Sequence, residues 1–204
     1  MFESKPFEEV VRRRRMVRSF EDRPVEREVV DGMLDLARRA PSAGYSQGTE
    51  FLVLDRPEDR DRYWSISFAG EDERERFRWQ GLFRAPVLVL PMSNERAYLD
   101  RYSEPDKAPA GLQEADAWPV PYWDVDAGMA TMVLLLAAVD AGLGALFFGI
   151  FGGEPELLQA FGVPAEYRPI GTVAIGHPAE GGPTGSSATR QRRPFDEVVH
   201  RGGW

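Results

Sequence analysis

A single domain of mixed helices and strands is what the 204 residues predict, and three observations carry that reading. Ordinary domains reach this length, and no linker divides the chain. Short apolar runs near turn residues, at 51–54, 87–90, 145–148 and 170–175, alternate with stretches of helical periodicity. The 43% of residues that are hydrophobic suffice for one core, and no internal repeat points to a solenoid. Taken alone, the alternation suggests a parallel α/β sheet.

The elements follow in order. Phe7, Val10 and Val11 share a helical face, with Ser4 as candidate cap and an arginine run at the C-terminal end, where positive charge complements the helix dipole. From about Val25, the residues Val29, Val30, Met33, Leu34 and Ala37 keep helical spacing until Pro41 stops the pattern. The runs at 51–54 and 87–90 read as buried strands, the second bracketed by Pro86 and Pro91, and the charged, aromatic stretch 58–83 between them reads as helix. Residues 93–122 hold four prolines and read as a loop or lid with little regular structure; connections this long in compact domains tend to be functional or mobile.

The most apolar helix spans 124–140. Met129, Met132, Val133, Leu136 and Ala137 make one stripe, and Leu134 and Leu135 fill much of the other side, which predicts burial nearly all round. Gly142-Leu143-Gly144 supplies a glycine cap. A strand at 145–148, a short helix at 154–161 and a last core strand at 170–175 follow. The Gly/Ser/Pro turn at 181–187 has no lysine to make it a phosphate loop, and a short helix at 194–200 closes the chain.

A net charge of −8 disfavours sequence-independent binding to nucleic acid or to an anionic membrane. The absence of cysteine excludes disulfides, thiolate metal sites and a cysteine nucleophile. With His177 and His200 the only histidines, no metal site is expected either. The polar N-terminus lacks the apolar segment of a signal peptide, and the longest apolar run, 132–139, is too short to cross a bilayer. A soluble cytoplasmic protein is the expectation.

Against this acidic background five arginines fall within seven positions, at 12, 13, 14, 15 and 18. That concentration points to a local site for a small anion such as a cofactor phosphate. An arginine run at a helix end is by itself more often solvated charge. A second basic group at Arg190, Arg192 and Arg193 favours the anion site, because guanidinium groups are forked, permanently charged donors. Arg12 and Arg13 read as solvent-facing, and residues 41–47 alone read as a helix-terminating turn.

Four motifs, in order, resemble the nitroreductase-like family of flavoenzymes, and the likeness runs nearly end to end. They are Arg14-Arg15-Met16-Val17-Arg18-Ser19-Phe20; Ala40-Pro41-Ser42-Ala43-Gly44-Tyr45-Ser46-Gln47; Gly142-Leu143-Gly144 after an apolar helix; and Ile175-Gly176-His177-Pro178 with Arg190-Gln191-Arg192-Arg193-Pro194. The resemblance implies an α+β fold, a mostly antiparallel sheet flanked by helices, in an intertwined homodimer with helix 125–139 in its core. It implies FMN between the subunits, its phosphate gripped by Arg14 and Arg18 from one end of the chain and by Arg190 and Arg192 from the other, with Arg193 a neighbour that could substitute and Arg15 and Met16 also in the cofactor site.

Pro41, Ser42, Ala43, Gly44, Tyr45 and Gln47 would wrap the ring from the partner subunit, and Gly149 or Ile150 would present a backbone N–H to it. Tyr45, Trp123 and Phe148 are the implied substrate contacts; Trp118, Tyr122 and Phe147 could join them, and all the tryptophan and phenylalanine members also suit a plain core. Two residues depart from the family pattern: Met16 stands where serine is usual, and Tyr45 where asparagine is usual. The implied activity passes electrons from NAD(P)H through FMN to a nitroaromatic, quinone or similar small acceptor in two half-reactions, with no catalytic acid or base from a side chain. The alternatives are a flavin-binding or storage protein without turnover, and the same fold using a deazaflavin or working as a dehydrogenase on a specific metabolite.

Overall fold

The computed structural model describes residues 6–68, 70–150, 152–181, 185 and 189–204. Its strands are β1 (Thr49–Leu54), β2 (Val87–Ser93), β3 (Gly144–Phe148), β4 (Arg168–Pro169) and β5 (Thr172–Gly176). They form one sheet in the order β1-β2-β5-β3, with β4 beside the end of β2, and every strand pairing is antiparallel. The parallel sheet suggested by alternation alone does not form; the antiparallel one implied by the resemblance does. β2 and β5 are buried along their whole length, so they read in sequence as continuous apolar runs, the pattern that parallel strands also show.

The helices are α1 (Phe7–Arg13), α2 (Arg27–Ala37), α3 (Pro57–Ser67), α4 (Glu71–Arg76), α5 (Glu95–Ser103), α6 (Tyr122–Asp140) and α7 (Glu154–Ala160). Because side chains alternate across a strand, Val87 and Val89 of β2 join a core with Val30 and Met33 of α2 and Leu134 and Ala138 of α6. Leu88 and Leu90 join a separate core with Tyr63 and Trp64 of α3 and Leu157 of α7. In that second core the Tyr63 hydroxyl bonds Thr172 Oγ1 at 2.7 Å, and burial pushes the phenol up to about 12.

Local chemistry sets the boundaries. Pro57 stands in the first turn of α3, where a missing N–H costs nothing, and Asn94 Oδ1 caps α5 by accepting from the Ala97 N–H. α6 ends at Gly142, φ 77°, where the Leu143 N–H reaches the Ala138 carbonyl and the Gly142 N–H the Val139 carbonyl.

Several expectations need correction. The stretch 58–83 is not one helix: α3, α4 and a 3-10 turn (Gln80–Arg84) divide it, with Gly70 at φ 116° between the two helices. β2 runs through Pro91 to Ser93, and the Pro91 carbonyl still accepts from the Ile170 N–H. Residues 93–122 contain α5 and 3-10 turns at Ala108–Ala110 and Ala115–Ala117, packed around Tyr98, Trp118 and Trp123. The end of the chain has a 3-10 turn at Phe195–Glu197 in place of a helix over 194–200. The cap proposed at Ser4 lies outside the described residues, as does most of the turn at 181–187.

α6 carries the largest correction. Its 19 residues are long and apolar enough to cross a membrane by length and composition, although the shorter run 132–139 is not. Here it is a core helix, packed against α2 and the sheet. Burial is not all round, however: Val125, Met129 and Met132 remain 40%, 38% and 46% exposed within one chain. Leu134 on the inner face is fully buried, so Leu134→Ala should cost about 2–5 kcal/mol of stability, read as a fall in the urea midpoint with an unchanged slope.

Candidate functional site

β3 is where motifs distant in sequence meet. Residues 16 and 17 lie along it: Met16 pairs with Ala145, and the Val17 N–H donates to the Ala145 carbonyl at 2.9 Å. The close approach requires glycine at 144, since a Cβ there would stand 2.7 Å from Val17 Cγ2. Phe20 then pairs with Pro178, and the Glu21 N–H donates to the His177 carbonyl. Three of the four sequence motifs thus share one edge of the sheet.

The clustered arginines divide their work. Arg12 and Arg13 pair with Glu8 and Glu9 on the exposed face of α1. Arg15 donates to the carbonyls of Arg12 and Arg14 and so caps the C-terminal end of α1. Arg14 is half-buried, and its Nη1 is buried with no hydrogen-bond partner among the described residues. Arg18 donates to the Met16 carbonyl at 3.1 Å, lies over the Trp79 ring at 5.4 Å and abuts Gly185. At the other end of the chain Arg190 and Arg192 are exposed, and Arg193 pairs with Glu197. Among the described residues no hydrogen bond or ion pair joins this group to Arg14 or Arg18 within one chain.

Residues 41–47 are strained. Gly44, Tyr45 and Gln47 all have positive φ, at 62°, 58° and 53°, and two of the three carry side chains. The loop is held from below by α6 and α5. Asp126 Oδ2 accepts from the Ala43 N–H at 2.8 Å and from the Tyr98 hydroxyl at 2.7 Å; Arg101 Nε donates to the Gly44 carbonyl at 3.0 Å. The Ser42 hydroxyl accepts from the Gln47 N–H. Burial, and then the Asp126 carboxylate, raise the Tyr98 phenol far above its usual value, so Tyr98 stays a donor. Tyr45 is 73% exposed at the tip, and Gln47 is exposed beside it.

Trp123, expected among the substrate contacts, is buried against Tyr98 and Trp118 in the cluster that also packs Ala43, so it supports the loop from beneath. Phe148, Gly149 and Ile150 line a cavity of about 560 Å³ together with Arg18, Trp64 and Trp79. Gly149 and Ile150 also border a second, more polar pocket of about 460 Å³ that includes Asp124 and Arg168. The turn after β3 therefore separates an aromatic chamber from a charged one. Aromatic faces and cationic donors of this kind suit a planar ring bearing an anionic group. Among the described residues, no group of three His, Asp or Glu could hold a metal ion.

Asp126, Tyr98, Arg101, Trp64 and Trp79 escape a sequence reading. Only Asp126 leaves a trace, as an acid inside the most apolar helix. Asp126→Ala leaves the Ala43 N–H and the Tyr98 hydroxyl without an acceptor and should cost about 2–5 kcal/mol, more than Tyr98→Phe. Thermal unfolding of the two variants, with limited proteolysis of the loop at 41–47, measures both the loss and its location.

Known proteins share this fold. The Nitroreductase family model matches residues 11–177. The FMN reductase [NAD(P)H] of Bacillus subtilis (strain 168) is 30% identical over 193 residues, which cover 92% of this chain and 70% of that protein. A nitroreductase family protein from Clostridium difficile 630 superposes with a TM-score of 0.71 at 21% identity, over 98% of this chain and 100% of that one. A structure described as a nitroreductase in complex with FMN, from Desulfovibrio desulfuricans, superposes at 0.68 with 26% identity, over 99% of each chain. Matched along most of its length by the family model and by relatives that preserve the whole fold, the chain belongs to the nitroreductase family.

Proposed function

We propose that this chain, a single flavin-binding domain over residues 1–204 with a lid at 93–122, is an FMN-dependent oxidoreductase. It passes electrons from NAD(P)H to a nitroaromatic, quinone or similar small acceptor, as a soluble cytoplasmic homodimer. The observation that carries the reading is the buried Nη1 of Arg14, without a hydrogen-bond partner among the described residues, on the segment that leads to Arg18 and the aromatic chamber at Gly149. A guanidinium N–H left without an acceptor fits a phosphate that supplies one. The Bacillus subtilis relative is an FMN reductase [NAD(P)H], and the Desulfovibrio structure holds FMN, which supports the same cofactor here.

When bound, FMN supplies the redox chemistry, taking hydride from NAD(P)H and passing electrons to the acceptor. Arg14 grips the phosphate side and Arg18, over Trp79 in the aromatic chamber, reaches the ring, with Arg15 and Met16 holding the backbone between them. Arg190 and Arg192, exposed in one chain, add charge from the other end, and Arg193 is a neighbour already paired with Glu197. Gly149 and Ile150 bring backbone close to the ring, and Phe148 excludes water beside it.

The loop at 41–47 has its own chain's support beneath it and Tyr45 and Gln47 pointing outward, which suits contact with the ring of the partner's site. Pro41, Ser42, Ala43 and Gly44 shape that approach, and Tyr45 and Phe148 bound the acceptor's space. The open stripe of Val125, Met129 and Met132 on α6 is the surface that a second copy would cover.

Purification with a cofactor mass and an absorbance spectrum tests the proposal. FMN is expected, bleached anaerobically by NADH or NADPH and restored by a quinone or nitroaromatic, in a particle of twice the 22.9 kDa chain mass. Flavin that neither nucleotide bleaches would instead favour a storage protein, and a deazaflavin mass would replace the cofactor. Arg14→Ala and Arg18→Ala should each weaken FMN binding about tenfold or more, the scale of one lost charge-assisted contact, while Arg193→Ala should change it little; fluorescence titration of FMN measures all three.

A further inference from the structure

The chamber beside Gly149 contains two indoles whose N–H groups find no acceptor among the described residues. Trp64, 2% exposed, stacks flat on Phe148 at 5.9 Å and meets Phe83 edge-on at 5.0 Å. Trp79 has two cations over its ring, Arg18 at 5.4 Å and Arg78 at 5.3 Å. The Nε1 atoms of both tryptophans are buried without a hydrogen-bond partner among the described residues. Buried indole N–H groups ordinarily find an acceptor, as Trp118 does at the Leu112 carbonyl, 2.9 Å away. An unpartnered one is destabilising, and phenylalanine would supply a similar apolar face without that cost.

Two such donors line one cavity with the Arg18 guanidinium and with the Ser67 hydroxyl, itself buried without a partner among the described residues, against the single carboxylate of Glu73; this donor-rich wall suits a ligand edge rich in acceptors. We propose that Trp64 and Trp79 are cofactor-binding residues, whose indole N–H groups donate to the carbonyl edge of the flavin ring once it occupies this chamber. The inference rests on the FMN reading above and extends it to residues outside the arginine and loop motifs. Both N–H groups are covered in the free chain, so the ring's entry must displace a neighbour. Phe148, half-buried, stacked on Trp64 and lining the same cavity, is the side chain placed to move. The free protein then carries a polar defect that the cofactor repairs.

That coupling gives the test a clear direction. Trp64→Phe and Trp79→Phe each remove a donor and keep an aromatic face, so the cofactor-free protein, which loses packing but also an unpartnered donor, should lose less stability than the FMN-loaded protein, which loses packing and a hydrogen bond. FMN affinity should fall about tenfold or more in each, and the flavin midpoint potential should move to a more negative value as donors to its carbonyl edge are lost. The gap between the melting temperatures of FMN-loaded and cofactor-free protein should shrink accordingly. A purely structural role would lower both melting temperatures together and leave the gap, the affinity and the potential unchanged, and that result overturns the inference. Wild-type protein that takes up no FMN would overturn the functional reading as well, whereas wild-type that binds FMN alongside two unaffected variants would overturn this inference alone.

Discussion

Asp126 is the one acidic side chain fully buried among the described residues, and much of the site hangs on it. A carboxylate taken out of water costs several kcal/mol unless donors replace its hydration. Here the donors are the Ala43 N–H and the Tyr98 hydroxyl, so the charge on α6 can be satisfied only if the loop at 41–47 and α5 both sit where they do. The same helix packs its inner face into the core and leaves its outer stripe open. One element thus joins the hydrophobic core, the strained loop and an exposed apolar stripe.

The other half of the site depends on backbone rather than charge. The segment that follows α1 is pinned to β3 at residues 16 and 17 and to the strand end beyond β5 at residues 20 and 21, which leaves Arg14 and Arg18 fixed at the start and middle of a short extended run. Glycine at 144 is what lets the two chains of backbone come together. Of five neighbouring arginines, two serve the helix surface and one its end, so dense positive charge in the sequence resolves into two residues, Arg14 and Arg18, that no ion pair occupies among the described residues.

How much of this the sequence discloses depends on whether packing leaves a periodic trace. α2 and α6 show their apolar faces plainly, and the apolar runs of β1, β2, β3 and β5 stand out, so their places are legible to within a few residues. Strand direction is not, because β2 and β5 are buried on both sides and lose the alternation that marks a half-exposed antiparallel strand. α5 is hidden for the opposite reason: Tyr98 is its only buried residue, and the remainder looks like polar loop. The arginine and glycine motifs are visible because their chemistry is local. Trp64 and Trp79 are not, since an indole destined for a cavity and one destined for a core have the same neighbours in sequence.

The left-handed backbone at residue 45 also constrains which side chains can occupy that place over generations. Asparagine enters this conformation more readily than other residues with a Cβ. Tyrosine at φ 58° gives up that relief while leaving its ring in water within one chain. The loop thus keeps an exposed aromatic ring on a backbone that a residue without a Cβ would occupy at lower cost, so its shape is held at the expense of the single chain's own stability.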